Sequence, residues 1–278
     1  MSKPIKIFSY LIFAIYFFGS VIFPIHAQTV NTYANAPMAG AALNERTGGL
    51  IAGENYNEIL PLASLTKLMT ALILIERGIN FNKKIKITAE EVNYVKPYIG
   101  KGDVTSSIDL RAGDVVTVND LWHAMLIASS NEAAVALVDH SGLTRAQFVA
   151  RMNREARALG LRHMKFTEPT GIDPRNAGTA RETAVIARQA FLWKMIRLVG
   201  VERYFGYREL SAGRKINIYN RNTSLLAMKP YGMKVGYLTE ARDNVAVRLR
   251  RGNKDRVIVV LHALNNARRN AEINRLMK

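Results

Sequence analysis

A serine and a lysine three residues apart, Ser64 and Lys67, open an apolar helical pattern that runs through Leu68, Leu72 and Ile75 towards Gly78. Residues three apart share a helix face, so the hydroxyl and the amine come within hydrogen-bond reach. The pairing suits a nucleophile and its base. A serine hydroxyl attacks only when a neighbour takes its proton, and a helix N-terminus favours the negative charge that then develops. In 278 residues, though, about one Ser-x-x-Lys arises by chance, and serine is a common helix cap. On its own the pair is no more than a cap beside a solvated lysine.

Two more strings complete an ordered set. Ser129-Ser130-Asn131 begins 65 residues after Ser64, between two helical patterns, and Lys234-Val235-Gly236 begins 105 residues after Ser129, ahead of a strand pair. Singly they read as a helix cap and a strand end; their order, one opening a helix, one between helices and one before a strand pair, sets the conjunction apart. Rival chemistries find little to stand on. His26, His123, His140, His163 and His262 fit no paired metal-ligand spacing, and the cysteine count is zero, which removes thiolate nucleophiles, thiolate metal sites and disulfides. There is no Gly-x-Ser-x-Gly elbow, Walker loop or dinucleotide fingerprint. No metal and no cofactor is expected.

The elements that must position these residues are legible in outline. Ala39–Asn44 and Leu50–Glu54 read as strands around the turn Glu45-Arg46-Thr47-Gly48-Gly49, with Pro61 interrupting the chain before the opening helix. Up to about residue 195 the pattern is mainly helical. Thr88 with Glu91, Thr144 with Gln147 and Thr179 with Glu182 have the form of capping boxes; helices are expected from near Thr144 to Leu159, over Val118–Ala128 and over Glu132–Asp139. The glycine-bearing stretch 96–114 reads as an ordered loop. Val245, Val247 and Leu249 alternate with Ala246, Arg248 and Arg250, so a strand is expected there. A turn over Gly252-Asn253-Lys254-Asp255, a strand over Val257–His262 and a closing helix over Ala267–Met277 follow. Strands at both ends with helices between predict an α/β (α+β) domain. Its antiparallel sheet joins the two chain ends and is packed by the opening and closing helices, beside a helical subregion.

The first 27 residues stand apart. Lys3 and Lys6 precede a largely apolar, uncharged run from Ile7 to Phe23, then Pro24 and a cleavage-type site after Ala27, which together predict an export signal; the run is also long enough for a retained anchor. Residues 28–38, with Asn31, Asn35 and Pro37, read as a polar lead-in, and 39–278 as one domain. At 49% hydrophobic content a buried core is assured, and the net charge of +17 calls for anionic partners. For an exported chain, anionic envelope polymers or membrane surfaces fit that balance better than nucleic acid.

With these residues in view, the chain resembles the low-molecular-weight penicillin-binding proteins, the serine D-alanyl-D-alanine carboxypeptidases and endopeptidases of the bacterial wall. Besides the triple, Leu60-Pro61-Leu62-Ala63-Ser64-Leu65-Thr66-Lys67-Leu68-Met69-Thr70 is similar to their nucleophile segment. Glu168-Pro169-Thr170-Gly171 with Thr179-Ala180-Arg181 is similar to their intervening loop and helix. The resemblance implies a β-lactamase/transpeptidase-like fold, peptidoglycan peptides as substrates and β-lactams as covalent inhibitors. It implies that Ser64 attacks the carbonyl between two D-alanines with Lys67 as base, its pKa lowered by burial and by Lys234 as a second nearby cation. Ser129 would pass a proton to the leaving amine, while Asn131 and Lys234 hold peptide and carboxylate. The backbone N–H groups of Ser64 and Tyr237 would form the oxyanion hole, and Gly236 would let substrate backbone approach.

One position departs from the family pattern. Val235 stands where a threonine or serine is usual, removing a hydroxyl that would bond the substrate carboxylate, a contact of roughly 1.5 to 3 kcal/mol. Weaker acylation with an intact fold is expected, unless another group, such as Arg268 or Arg269, supplies the contact. Two other readings remain: a catalytically weak peptidoglycan-binding homologue, motivated by Val235, and a β-lactamase, for which Glu168 is the candidate deacylating carboxylate.

Overall fold

The computed structural model describes residues 33–100 and 106–278. The leader expected over residues 1–27 lies outside the described residues, as do the start of the polar lead-in and residues 101–105 of the expected loop. The strands are β1 (Ala39–Asn44), β2 (Leu50–Glu54), β3 (Ile59–Pro61), β4 (Lys84–Lys86), β5 (Val115–Thr117), β6 (Ala177–Thr179), β7 (Tyr204–Arg208), β8 (Lys215–Tyr219), β9 (Gly232–Leu238), β10 (Arg242–Arg251) and β11 (Lys254–Ala263). The helices are α1 (Thr66–Glu76), α2 (Ala89–Val92), α3 (Val118–Ile127), α4 (Asn131–Asp139), α5 (Arg145–Ala158), α6 (Ala180–Leu192), α7 (Lys194–Gly200), α8 (Thr223–Leu226) and α9 (Asn266–Met277).

The main sheet has five strands in the order β2-β1-β11-β10-β9, with antiparallel pairing throughout. β1 lies beside β11, Ala41 opposite Val259, so the two ends of the chain meet in one sheet as expected. Along β11 every residue from Arg256 to Ala263 is buried, because both faces of the sheet are covered. Ala41, Leu43, Val257, Val259 and Leu261 join the core shared with the helical region, whereas Ala42, Val245, Val247, Ile258 and Val260 pack with Ile273 and Leu276 of α9. Period-two alternation in β1 and β11 thus feeds two separate cores.

One packing expectation is corrected. The helix on the inner sheet face is α6, against β1 and β11, while the opening helix α1 packs chiefly on α6, α4 and α5. Its residues Thr66–Leu74 are all buried, so α1 is central rather than amphipathic. The terminal turn is also tighter than expected: Lys254 and Asp255 already belong to β11, leaving Gly252-Asn253 as the connection. Lys234-Val235-Gly236 sits inside β9, which turns the expected final pair into a three-strand meander.

The capping boxes of α2 and α5 form with both bonds in place. At α6 only half the box forms: Thr179 Oγ1 accepts from the Glu182 N–H, but the Glu182 carboxylate accepts instead from the N–H groups of Arg162 and His163. Part of the lead-in is tied down, since Met38 O accepts from Asn55 and Ala34 O from Arg242. Three two-stranded pairs were not anticipated: β3 with β6, β4 with β5, and the β7–β8 hairpin. Among the described residues, no helix is long and apolar enough to cross a membrane.

Candidate active site

Ser64 sits in a single 3-10 turn, Ala63–Leu65, that feeds α1. The turn starts with Ala63 in the left-handed region at φ +48°, a conformation that costs a non-glycine residue about 1 to 2 kcal/mol. Two tight contacts hold it. Gly171, at φ +85°, packs so closely that a Cβ there would fall on Ala63 O, and a Cβ on Gly236 would stand 2.8 Å from Ser64 N. Gly236 therefore has a neighbour the sequence reading did not foresee: its bare backbone lets β9 close against the chain's own Ser64 turn. From the other side, Asn244 Nδ2 donates to Pro61 O at 2.8 Å while its Oδ1 accepts from His262 N at 2.7 Å, stitching the approach to the turn onto the sheet.

Lys67 lies in the first turn of α1 and is fully buried. Its Nζ is 3.0 Å from Ser64 Oγ and 2.7 Å from both Asn131 Oδ1 and Thr170 O. Burial lowers the amine to about 7, against the opposing pull of Glu168 and Glu132. Of the two expected causes, burial is the one that lowers it; the charge between the two lysines acts on Lys234 instead. Lys234 is itself held well below the ordinary lysine range by burial and by the Lys67 charge. From β9 its Nζ reaches Ser129 Oγ at 2.7 Å and Val235 O at 2.9 Å.

The second motif divides its labour. Ser130 Oγ accepts from Ala133 N and so caps α4, and it donates to Glu132 Oε2. The capping role foreseen for the string falls to this middle residue, which leaves Ser129 and Asn131 to meet the two lysines. Ser129 stands at φ +61°, outside both α3 and α4. Strained backbone at both hydroxyls, Ser64's neighbour Ala63 and Ser129 itself, is the pattern of a site whose geometry the surrounding fold imposes.

Glu168 has a different office from the one considered for it. The buried carboxylate accepts from Thr170 N and Oγ1, each at 2.7 Å, from Gly171 N at 2.5 Å, from Asn176 Nδ2 at 2.6 Å and from Tyr94 Oη at 3.0 Å. It fixes the loop that presents Thr170 O to Lys67, and its oxygens are engaged in that task.

Ser64, Ser129, Asn131, Val235 and Tyr237 line one cleft of about 710 Å³. Arg268 is exposed on α9, and Arg269 is buried 3.6 Å from Asp243; neither lines the cleft. Arg221, overlooked in the sequence, does. Thr170 O and Asn244 were overlooked too. A main-chain carbonyl leaves no trace in residue type, whereas Asn244, a fully buried polar residue just before the alternation of β10, is a signal that could have been read.

The chain is 31% identical over 245 residues to D-alanyl-D-alanine carboxypeptidase DacF of Bacillus subtilis; the match takes in 85% of this chain but 60% of that protein's length. It is 26% identical over 237 residues to the D-alanyl-D-alanine endopeptidase of Escherichia coli, covering 83% of this chain and 72% of that one. Its fold is similar to that of an R248L mutant of the Streptomyces K15 DD-transpeptidase, with a TM-score of 0.78 and 27% identity over 86% of this chain and 95% of that one. Lys67 and Lys234 are buried behind the cleft, bonded to Ser64 and Ser129 of its lining. The family model for peptidase S11, D-alanyl-D-alanine carboxypeptidase, matches residues 28–265, and the chain belongs to that family.

Proposed function

We propose that the chain is a serine D,D-peptidase that hydrolyses the bond between D-alanines in peptidoglycan peptides through an acyl ester on Ser64. The observation that carries the reading is the set of partners around Lys67 Nζ. Asn131 Oδ1 and Thr170 O can only accept, so a neutral amine gives them its two N–H groups and turns its lone pair on Ser64 Oγ, 3.0 Å away. An amine that titrates near neutrality, aimed at a hydroxyl, is a general base in place.

The steps follow from the same contacts. Lys67 takes the Ser64 proton as Oγ attacks the carbonyl, and the oxyanion forms between the backbone N–H groups of Ser64 and Tyr237. Fixed donors of this kind are worth about 3 kcal/mol each in the transition state. Ser129, bonded to Lys234, hands a proton to the departing amine. Asn131 holds Lys67 and the incoming peptide, and Lys234 and Arg221 offer positive charge to the terminal carboxylate where Val235 offers none. Water then releases the acyl group, with Lys67 again the base. β-Lactams would acylate Ser64 by the same route and stall there, because Glu168 is committed to its loop. The substrate lies outside the cytoplasm, which agrees with reading residues 1–27 as an export signal.

Intact-protein mass spectrometry with benzylpenicillin tests the reading. A single drug-sized adduct on the wild type and none on Ser64→Ala is expected. Folded protein that takes up no drug would instead favour a peptidoglycan-binding homologue disabled at Val235.

A further inference from the structure

The cleft extends beyond the reacting groups to Asn217, Ile218 and Tyr219 of β8, which pairs with β7 in a hairpin. Within the hairpin Tyr204 pairs with Tyr219 and Gly206 with Asn217. Residues two apart share a face, so Tyr204, Gly206, Asn217 and Tyr219 form one surface, while Ile216 and Ile218 are buried on the other. That surface is assembled with care. The Tyr204 and Tyr219 rings lie 5.2 Å apart, and Tyr204 leans along its strand over Gly206, where any Cβ would collide with the phenol. Tyr204 Oη donates to Asn217 Oδ1 at 2.8 Å. With its oxygen so engaged, the Asn217 amide keeps its N–H groups as donors for a ligand, and Asn217 and Tyr219 both line the cleft. Tyr219 is 60% exposed although a second ring backs it.

A flat, partly apolar ring held in place beside an amide, at the end of the hairpin away from the Arg208–Lys215 pair, calls for a neutral ligand. Such a ligand has an apolar C–H face to cover the ring and oxygen acceptors at its rim. A pyranose ring has both. The ionised ends and side chains of a peptide would look for charge, which along the cleft lining is carried by Asp109 and Arg221 rather than by Asn217 and Tyr219. A cleft of about 710 Å³ is also larger than two alanines require.

We propose that the Tyr204–Asn217–Tyr219 face is a saccharide subsite that holds a sugar of the glycan to which the stem peptide is attached. The proposal rests on the D,D-peptidase reading for its substrate. It makes glycan-linked peptides, rather than free ones, the preferred ligands of the cleft.

Isothermal titration of full-length Ser64→Ala protein, which cannot turn over, compares a disaccharide-pentapeptide with the free pentapeptide. The disaccharide form is expected to bind about tenfold more tightly. Adding Tyr219→Ala or Asn217→Asp should remove the difference, and Tyr219→Phe, which keeps the ring, should retain it; thermal melting verifies that each variant is folded. Equal affinities for the two ligands, including binding of neither, overturn the subsite, as does a preference that survives Tyr219→Ala. Benzylpenicillin acylation of the wild type separates the two levels. An adduct without a disaccharide preference leaves the peptidase reading standing and removes the subsite; a preference without an adduct does the reverse.

Discussion

The base role proposed for Lys67 depends on its amine sitting where an ammonium is costly, and its titration should then govern the chemistry. With Nζ at about 7, the rate of acylation by benzylpenicillin is expected to climb about tenfold per pH unit below neutrality and level off above it. Stopped-flow acylation from pH 5 to 9 reads this directly, and a flat profile would show that another group removes the proton. Lys67→Ala should lower the rate by roughly two to four orders of magnitude, the usual range for a general base. Val235 carries the second residue-scale prediction. Restoring the hydroxyl with Val235→Thr should raise acylation about ten- to a hundredfold, as a hydrogen bond to a carboxylate is worth roughly 1.5 to 3 kcal/mol. If Arg221 already serves the carboxylate, Arg221→Ala will slow the wild type and enlarge the gain from Val235→Thr. At this scale residue type was informative and main chain was not: Ser64, Lys67, Ser129, Asn131 and Lys234 could be picked out of the sequence, whereas Thr170 O could not.

The loop that carries Thr170 depends on one carboxylate. Glu168→Gln exchanges an acceptor of N–H and O–H bonds from Thr170, Gly171 and Tyr94 for a group that must itself donate, leaving buried donors unmet at about 1 to 3 kcal/mol each. A lowered melting temperature and slower acylation are expected together. Accumulation of acyl-enzyme with unimpaired acylation would instead assign Glu168 to deacylation, as the β-lactamase reading requires. The junction of β9 with the Ser64 turn gives a sharper test. In Gly236→Ala the new methyl meets Ser64 N and the Ala63 side chain, and overpacking of this kind costs about 1 to 3 kcal/mol. At least a tenfold loss of acylation is expected from a protein that still folds, measured by adduct formation beside circular dichroism. Elements with strong local signals were legible: two capping boxes, the end of the opening helix at Gly78 and the alternation of β10 all stand where they were read. Three-residue strands such as β3 and β6 carry too few positions to show a period, and only their pairing defines them.

Across the whole molecule, the buried lysines leave a mark on stability. Lys67 and Lys234 are both lowered in the fold, while the unfolded chain keeps the ordinary lysine value of 10.5. Between about pH 7 and 10.5 the unfolded chain therefore binds more protons, and stability rises with pH. Tyr94 and Tyr207, raised by burial from 10.0, act in the opposite sense: above about pH 10 the folded chain holds more protons and stability falls. Loss of positive charge from a chain at +17 also relieves self-repulsion on the way up. Urea midpoints should accordingly peak near pH 9 to 10; a maximum at neutrality followed by a decline would contradict this balance. The site itself is a product of this scale, since its parts come from α1, the α3–α4 junction, the 168–171 loop and β9.

The sequence by itself determined the chemistry's reagents, their order along the chain and the joining of both ends in one antiparallel sheet, because residue type and hydrophobic period are local properties. Only the tertiary structure decided that α6 rather than α1 lies on that sheet, that Gly236 closes on Ser64, that Ser130 does the capping while its neighbours meet the lysines, and that Glu168 braces a loop. Those outcomes depend on what faces a residue across space, and on how completely water is excluded there. Exclusion of water is also what lowers the Lys67 amine from the ordinary lysine range to about 7, as the proposed base requires.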